Sequence, residues 1–394
     1  MDFKKEAFNI KSDLIKIRRH LHEYPELSTE EVETSKFIKE ILKKEKIEFK
    51  EYFNTGIAAV IKGTLKSDKK EKTIGVRADI DALPILEKNK CEYSSKNLGV
   101  MHACGHDSHT TILLGVAMLL NKNRHLFNGN VKLIFEPAEE TVGGARYMIK
   151  ENVLENPKVD AMIGLHVEET LECGKIMFKD GVVNAASNPF KIKIRGEGGH
   201  GAYPHRSVDP ILIASNIIIS LQSIVSREIN TMNPAVITVG KINGGSAQNI
   251  IPEEVEFEGI IRTMNKEDRE LVKKRLVEVS SGIAKTLRGE AIIEIEESYP
   301  NLYNNEDMVK MFYKSSKRIL EEYDIIKQYY PKMGVESFAY FAEKVPSLFY
   351  FLGSKNETNN IIYPAHSNLF DVDEDCIPLG VALQCQMIID YLTS

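Results

Sequence analysis

The chain has 394 residues, more than a single core of about 250–300 residues accommodates, so two domains are the opening expectation. Its 43% hydrophobic and 27% charged content excludes a largely disordered chain, and its net charge of −6 gives no reason to expect nucleic acid or an anionic membrane as partner. The apolar run ILLGVAMLL falls far short of the about 20 residues that cross a bilayer. The first residues lack the apolar core of a secretory signal, so a cytoplasmic location is expected. Cys91, Cys104, Cys173, Cys376 and Cys385 are too scattered for a disulfide framework.

Taken in order, apolar positions at helical spacing predict two helices between Asp2 and Leu42, interrupted at EYPELS. Strand-type runs follow: IAAVIKG, TIGVRADI, VKLIFEP and DAMIGLHV, with helical patterns at 108–121 and 143–154. This alternation predicts an α/β layered fold with a largely parallel central sheet. LKSDKKEKT reads as a solvated loop or hairpin. From Asn184 the pattern changes. PFKIKIRGE alternates apolar and charged residues, 208–226 has helical spacing, and PAVITVGKI, EVEFEGIIRT, an amphipathic helix at 266–286 and AIIEIEES follow. Their order is β-α-β-β-α-β, the ferredoxin-like arrangement. The α/β pattern then resumes with a helix at 306–322, a strand at SLFYFLG and a last helix at IPLGVALQCQMIIDYL. The expected domains are therefore 1–183 with 299–394, interrupted by 184–298.

Polar residues cluster where the first α/β strands end. TIGVRADID delivers Asp79 and Asp81, VKLIFEPAEE delivers Glu139 and Glu140, and AMIGLHV delivers His166. Ligands of open α/β sheets bind beyond the carboxyl ends of the strands, so these groups can converge there. MHACGHDSHTT adds Cys104 and His106 from a loop entering a helix. Taken alone, Cys104 reads as a small buried hydrophobe and each histidine as an ordinary hydrogen-bonded residue. Together, thiolate, imidazole and carboxylate form the donor set of zinc and its first-row neighbours. Adjacent glutamates would repel if left unpaired, whereas beside metal one can ligate while the other moves protons. Asp79 and His109 read either as supports for ligands or as capping groups, and His20, His22 and His125 as structural.

RADIDALP, GVMHACGHDSHTT, EPAEE, GLHV, GGHGAYPHRSVDP and QNIIPEEVEFEGIIRT, in this order, resemble the M20 metallopeptidase clan in its amidohydrolase branch. That branch includes hippurate, N-acyl-amino-acid and auxin-conjugate hydrolases. The likeness runs from RRHLHEYPELS to YPAHSNLFDVDED. It implies a di-metal α/β domain interrupted by a lid or dimerisation domain, and two divalent ions (Zn, Mn, Co or Ni) on Cys104, His106, Glu140, His166 and His366, with Cys104 shared. It also implies Glu139 as general acid/base, Asp81 as the orienting group of a ligand, His200 as the group that polarises the scissile carbonyl, and Asn249 with Arg262 as the holders of a substrate carboxylate. Ser337 departs from the pattern, since relatives often have Asp there.

The expected activity is metal-dependent hydrolysis of N-acyl amino acids by a possible homodimer. Alternatives are an aminopeptidase or dipeptidase of the same clan, a thiol hydrolase using Cys104 and His106, and a non-catalytic binding protein on this fold.

Overall fold

Three helices, not two, open the chain: Phe3–Asn9, Lys11–Glu23 and Val32–Lys44. The Asp2 carboxylate accepts from Lys5 N–H and caps the first, and the Ile10 amide closes it on Ala7, so the chain turns before Lys11. That break falls within an unbroken apolar period, which is why spacing alone merged the two elements. The structure, a computed structural model, describes residues 1–394 and separates into two units. One comprises 1–183, 303–330 and 336–394, and the other 184–302 with 331–335.

The first unit is built on an eight-stranded sheet in the order Phe49–Tyr52, Gly56–Lys62, Asn130–Glu136, Thr73–Asp79, Ala161–Glu172, Ser347–Lys355, Ile176–Phe178, Ile325–Lys327. The four strands from Asn130–Glu136 to Ser347–Lys355 run parallel, as expected of a sheet covered on both faces. Antiparallel pairing is confined to Phe49–Tyr52 with Gly56–Lys62, Gly56–Lys62 with Asn130–Glu136, and Ser347–Lys355 with Ile176–Phe178. Every residue of Thr73–Asp79 is buried, including Arg77 and Asp79. In register, Asp79 lies opposite Glu136, so both strands end at one level and deliver their carboxylates to the same edge.

Two helices form the center of this core. His106–Lys122 and Cys376–Thr393 are buried over most of their length and pack closely at Gly115, where an added Cβ would meet Val381 Cγ2 at 2.6 Å. Burying each Leu, Ile or Val of these helices contributes about 1.5–3 kcal/mol, which holds the start of His106–Lys122 firmly against the sheet. Cys376–Thr393 and Pro210–Arg227 are long and apolar enough to cross a membrane by composition, but the former is mostly enclosed by protein. The helix expected at 306–322 ends at Ser316, beyond which the chain turns.

In the second unit the strands Ala235–Gly244, Glu254–Thr263, Ala186–Arg195 and Glu290–Ile295 form an antiparallel sheet in that order. Pro210–Arg227 and Lys266–Thr286 contribute to a core with Ile192, Ile194, Val255 and Phe257, which alternate along their strands. The residues between them carry opposite charges, as in Lys191 with Glu256 at 2.8 Å and Lys193 with Glu254 at 3.3 Å. This is the β-α-β-β-α-β order. Asp209 accepts from Ile211 and Leu212 N–H to start the first helix, and Asn265 from Asp268 N–H to start the second.

Candidate metal centre

Gly105 sits between Cys104 and His106 at φ 85°, a left-handed conformation, and an added Cβ would meet Val167 Cγ2 at 2.3 Å. Both facts demand glycine. The turn directs Cys104 and His106 to the end of the parallel strands, where the Cys104 sulfur lies 3.3 Å from His166 Nε2. From the other side the Glu140 Oε1 is 3.3 Å from His366 Nε2 and 3.9 Å from His106 Nε2. The His366 loop is pinned by its own N–H, which donates to Ala103 O at 2.7 Å.

Cys104 belongs to two donor groups, one with His106 and His166 and one with Glu140 and His366, and in each the donor atoms lie within 4.8 Å of one another. A third such group joins His106 to Glu139 and Glu140. Ring orientation fits metal ligation. His166 Nδ1 contacts Val167 O at 2.5 Å, and His106 Nδ1 lies 3.0 Å from Asp81 O and 3.1 Å from Asp81 Oδ1. With the proton on Nδ1 in each ring, both Nε2 lone pairs face the cluster. The donor set therefore fits two divalent cations with a shared sulfur. His109 is not available in the same way: its Nε2 accepts from Val167 N–H at 2.9 Å, and its Nδ1 is 2.6 Å from Asp79 Oδ1. It ties the His166 strand to the Asp79 strand instead.

The electrostatics match a site that expects positive charge. Burial, with Glu140 beside it, pushes the Cys104 thiol well above its ordinary range. A thiol nucleophile needs the opposite shift, which argues against the thiol-hydrolase alternative. Burial and the charges of Glu336 and Glu140 push Glu139 well up. Burial opposes ionisation of Glu140 too, but the hydrogen bond from His366 and the charge of His106 hold it at about 2. The two neighbouring glutamates thus differ in the direction that separates a proton carrier from a ligand.

Asp81 contacts two parts of the cluster at once. Beyond His106, its Oδ2 accepts from Glu140 N–H at 3.0 Å and from Ser28 Oγ–H at 2.6 Å. Sequence reasoning missed the buried charges beneath. Glu31 accepts from Ala138 N–H at 2.8 Å and from Thr55 Oγ1–H at 2.7 Å, holding Ala138 at φ 55° just before the glutamate pair. Arg77 and Glu136 pair under Glu139 at 2.6 Å. Arg18 donates to Asp107, next to His106, at 2.9 Å. The signal for Arg77 was present, since an arginine in the middle of TIGVRADI is a charge in a strand read as buried.

His200, Asn249 and Arg262 lie in the second unit. Gly199–His200 pairs with Ile250–Ile251, and Gly201 N–H donates to Asn249 O at 2.8 Å, so His200 and Asn249 line one open depression of about 740 Å³. His200 is exposed, and its Nδ1 accepts from Ala202 N–H at 3.1 Å, which places the ring proton on Nε2. Arg262, opposite Ser187, is half-buried, and its Nη1 is enclosed without a hydrogen-bond partner.

The profile of peptidase family M20/M25/M40 matches residues 75–390. The chain is 37% identical to thermostable carboxypeptidase 1 of Saccharolobus solfataricus over 391 residues, 98% of each chain. It is 41% identical to N-acetyl-L-cysteine deacetylase of Bacillus subtilis over 370 residues, 93% of this chain and 85% of the relative. Among solved structures, the YXEP protein of Bacillus subtilis, described as a dinuclear metal binding peptidase from the M20 family, superposes with a TM-score of 0.84 at 34% identity, covering 98% of this chain and 99% of that one. The chain belongs to peptidase family M20/M25/M40 and, within it, to the metal-dependent amidohydrolases.

Proposed function

We propose that the protein hydrolyses the amide bond of N-acyl amino acids, releasing a carboxylic acid and a free amino acid. The observation that carries this reading is the meeting of two donor groups at Cys104 beside the buried Glu139. Cys104, His106, Glu140, His166 and His366 would hold two divalent ions, with Asp81 orienting His106. The mixed sulfur, nitrogen and oxygen set suits Zn, Mn, Co or Ni. When bound, such ions make water acidic enough to act as a nucleophile near neutral pH and stabilise negative charge on the substrate oxygen.

Glu139 takes the proton of the attacking water on its carboxylate and returns it to the leaving nitrogen. Its raised pKa supports both halves of that role. His200, with its proton on Nε2, donates to the carbonyl oxygen of the scissile amide as negative charge develops there. Arg262 and Asn249 hold the free carboxylate of the amino acid. The enclosed, unpartnered Nη1 of Arg262 supports this, because a carboxylate is the natural bidentate partner of a guanidinium. Exposed Ile211, Leu212 and Ile219 on one helix, and the sheet edge at Ala235–Gly244, support a homodimer formed through the inserted unit. Five free thiols support a reducing, cytoplasmic setting.

The similarity to a carboxypeptidase favours a second reading, removal of the last residue of a short peptide. Both readings require a free carboxylate and differ in the acyl side. Turnover of acetyl, benzoyl, fatty-acyl and indoleacetyl amino acids is to be compared with that of dipeptides and of the corresponding amino-acid amides. Blocking the carboxylate should lower kcat/KM by about 10²-fold, the loss of a buried charge-assisted contact, and Arg262→Ala should narrow the gap. Equal turnover of free and blocked substrates refutes the carboxylate requirement. Dipeptides outrunning every N-acyl amino acid moves the assignment to the peptidase reading.

A further inference from the structure

We propose that Ser337, clamped by Arg77, is a positioning residue whose backbone N–H sets the orientation of the Glu139 carboxylate; this rests on the reading of Glu139 as the proton carrier. Ser337 N–H donates to Glu139 Oε1 at 2.9 Å, and both residues are buried. A glutamate has three side-chain torsions, the last of them broad, so burial alone does not aim its carboxylate. A proton carrier must lie within hydrogen-bond reach of the atom it serves, and a small misplacement is costly in rate.

What holds the Ser337 amide in place is a buried charge cluster. The Ser337 hydroxyl donates to Glu136 Oε1 and accepts from Arg77 Nη2 at 3.0 Å. The Arg77 guanidinium also binds Glu136 Oε2 at 2.6 Å, Asp79 Oδ2 at 2.8 Å and Glu336 Oε1 at 3.0 Å. Glu336 Oε1 in turn accepts from Phe338 N–H at 2.8 Å, so the residues on either side of Ser337 are fastened as well. Arg77 and Glu136 stand on adjacent parallel strands, and the 337 segment inherits the rigidity of the sheet. This gives the unusual serine a reason. Arg77 already faces three carboxylates. Serine both accepts from Arg77 and donates to Glu136, whereas an ionised aspartate there could only accept and would add a fourth negative charge. Ser337 is thus a support beneath Glu139.

The amide can be removed selectively, because Ser337 has φ −71° and proline adopts that value without strain. Ser337→Ala loses the hydroxyl and keeps the N–H; Ser337→Pro loses both. In the metal-loaded enzyme Ser337→Pro should lower kcat at least about 10²-fold, with KM and metal content within about 3-fold of the parent, and Ser337→Ala should lose less than about 10-fold in kcat. A folded, metal-loaded Ser337→Pro protein with kcat within about 3-fold of the parent, or one in which KM and metal content fall off as steeply as kcat, overturns the proposal. Should Ser337→Pro fail to fold, Arg77→Lys decides. It keeps the charge but loses the planar fork, and should lower kcat about 10-fold at constant KM; an unchanged kcat overturns the clamp. Glu139→Gln, measured alongside, separates the two levels. If that variant keeps kcat, the reading of Glu139 fails; if it loses kcat while Ser337→Pro does not, only the positioning role fails.

Discussion

Replacing Arg18 by methionine isolates the energetic contribution of the charges behind the proposed metal ligands. The Arg18 guanidinium is fully buried, donating to Asp107 Oδ2 at 2.9 Å and to Asp371 Oδ1 at 2.7 Å, with Glu374 Oε1 at 3.5 Å. Asp107 is fully buried too, and without Arg18 its remaining close partners are His22 Nδ1 at 2.7 Å and the Ser108 N–H at 2.8 Å. Leaving one member of a buried ion pair behind costs about 3–5 kcal/mol. Asp371 and Glu374 reach solvent, so losing Arg18 there adds only about 1 kcal/mol. A total of about 4–6 kcal/mol at roughly 2–4 °C per kcal/mol lowers the melting temperature by roughly 8–24 °C. Calorimetry and urea denaturation at fixed metal load provide the measurement. Because Asp107 follows His106, metal affinity should also fall, by about 10-fold or more. A shift below about 2 °C would mean that the pair is compensated or solvated and that breaking it does not carry the assumed cost.

Glu139→Gln should lower kcat by about 10²–10⁴ or more with both ions retained, whereas Glu140→Gln should lower metal affinity as well; equal loss of activity with full metal in both variants would show that the two glutamates share one role. His22 predicts a pH dependence of stability. Burial opposes its protonation and Arg18 repels it, but hydrogen bonds to Asp107 and Glu87 raise its pKa above the usual value. A raised folded-state pKa stabilises the protein fully below about pH 6.5 and loses that contribution as pH climbs through the folded value. Denaturant unfolding from pH 6 to 9 should show this decline and His22→Gln should flatten it; identical slopes would remove His22 as the source.

Much of the metal centre was legible because the carboxyl ends of parallel strands are where an α/β sheet gathers ligands. Asp79 ends one strand, Glu139 follows another and His166 lies within a third, while Cys104 and His106 flank the glycine that starts the next helix. His366 has no such local mark. It lies in a loop at φ 65°, and only the family resemblance singled it out. His200, Asn249 and Arg262 also came from resemblance, since a histidine in a short turn and an arginine in an alternating strand have ordinary explanations. The supporting charges were hidden for another reason. Arg77 pairs with Glu336, and Glu31 with Ala138, across long stretches of chain, and no periodicity reports a contact made by topology. The short strands Phe49–Tyr52, Ile176–Phe178 and Ile325–Lys327 escaped notice because three or four residues are too few to display an alternation.

The strand Ser347–Lys355 lies in the sheet between Ala161–Glu172 and Ile176–Phe178, both of which precede the inserted unit in the chain. During vectorial synthesis those earlier strands leave the ribosome with the slot between them empty. The whole inserted unit must be translated before the missing strand arrives. For that interval two strand edges lie open, the kind of surface on which nascent chains aggregate or recruit chaperones. His366 is made later still, so a nascent chain reaching only to the inserted unit holds Cys104, His106, Glu140 and His166 but lacks the last donor.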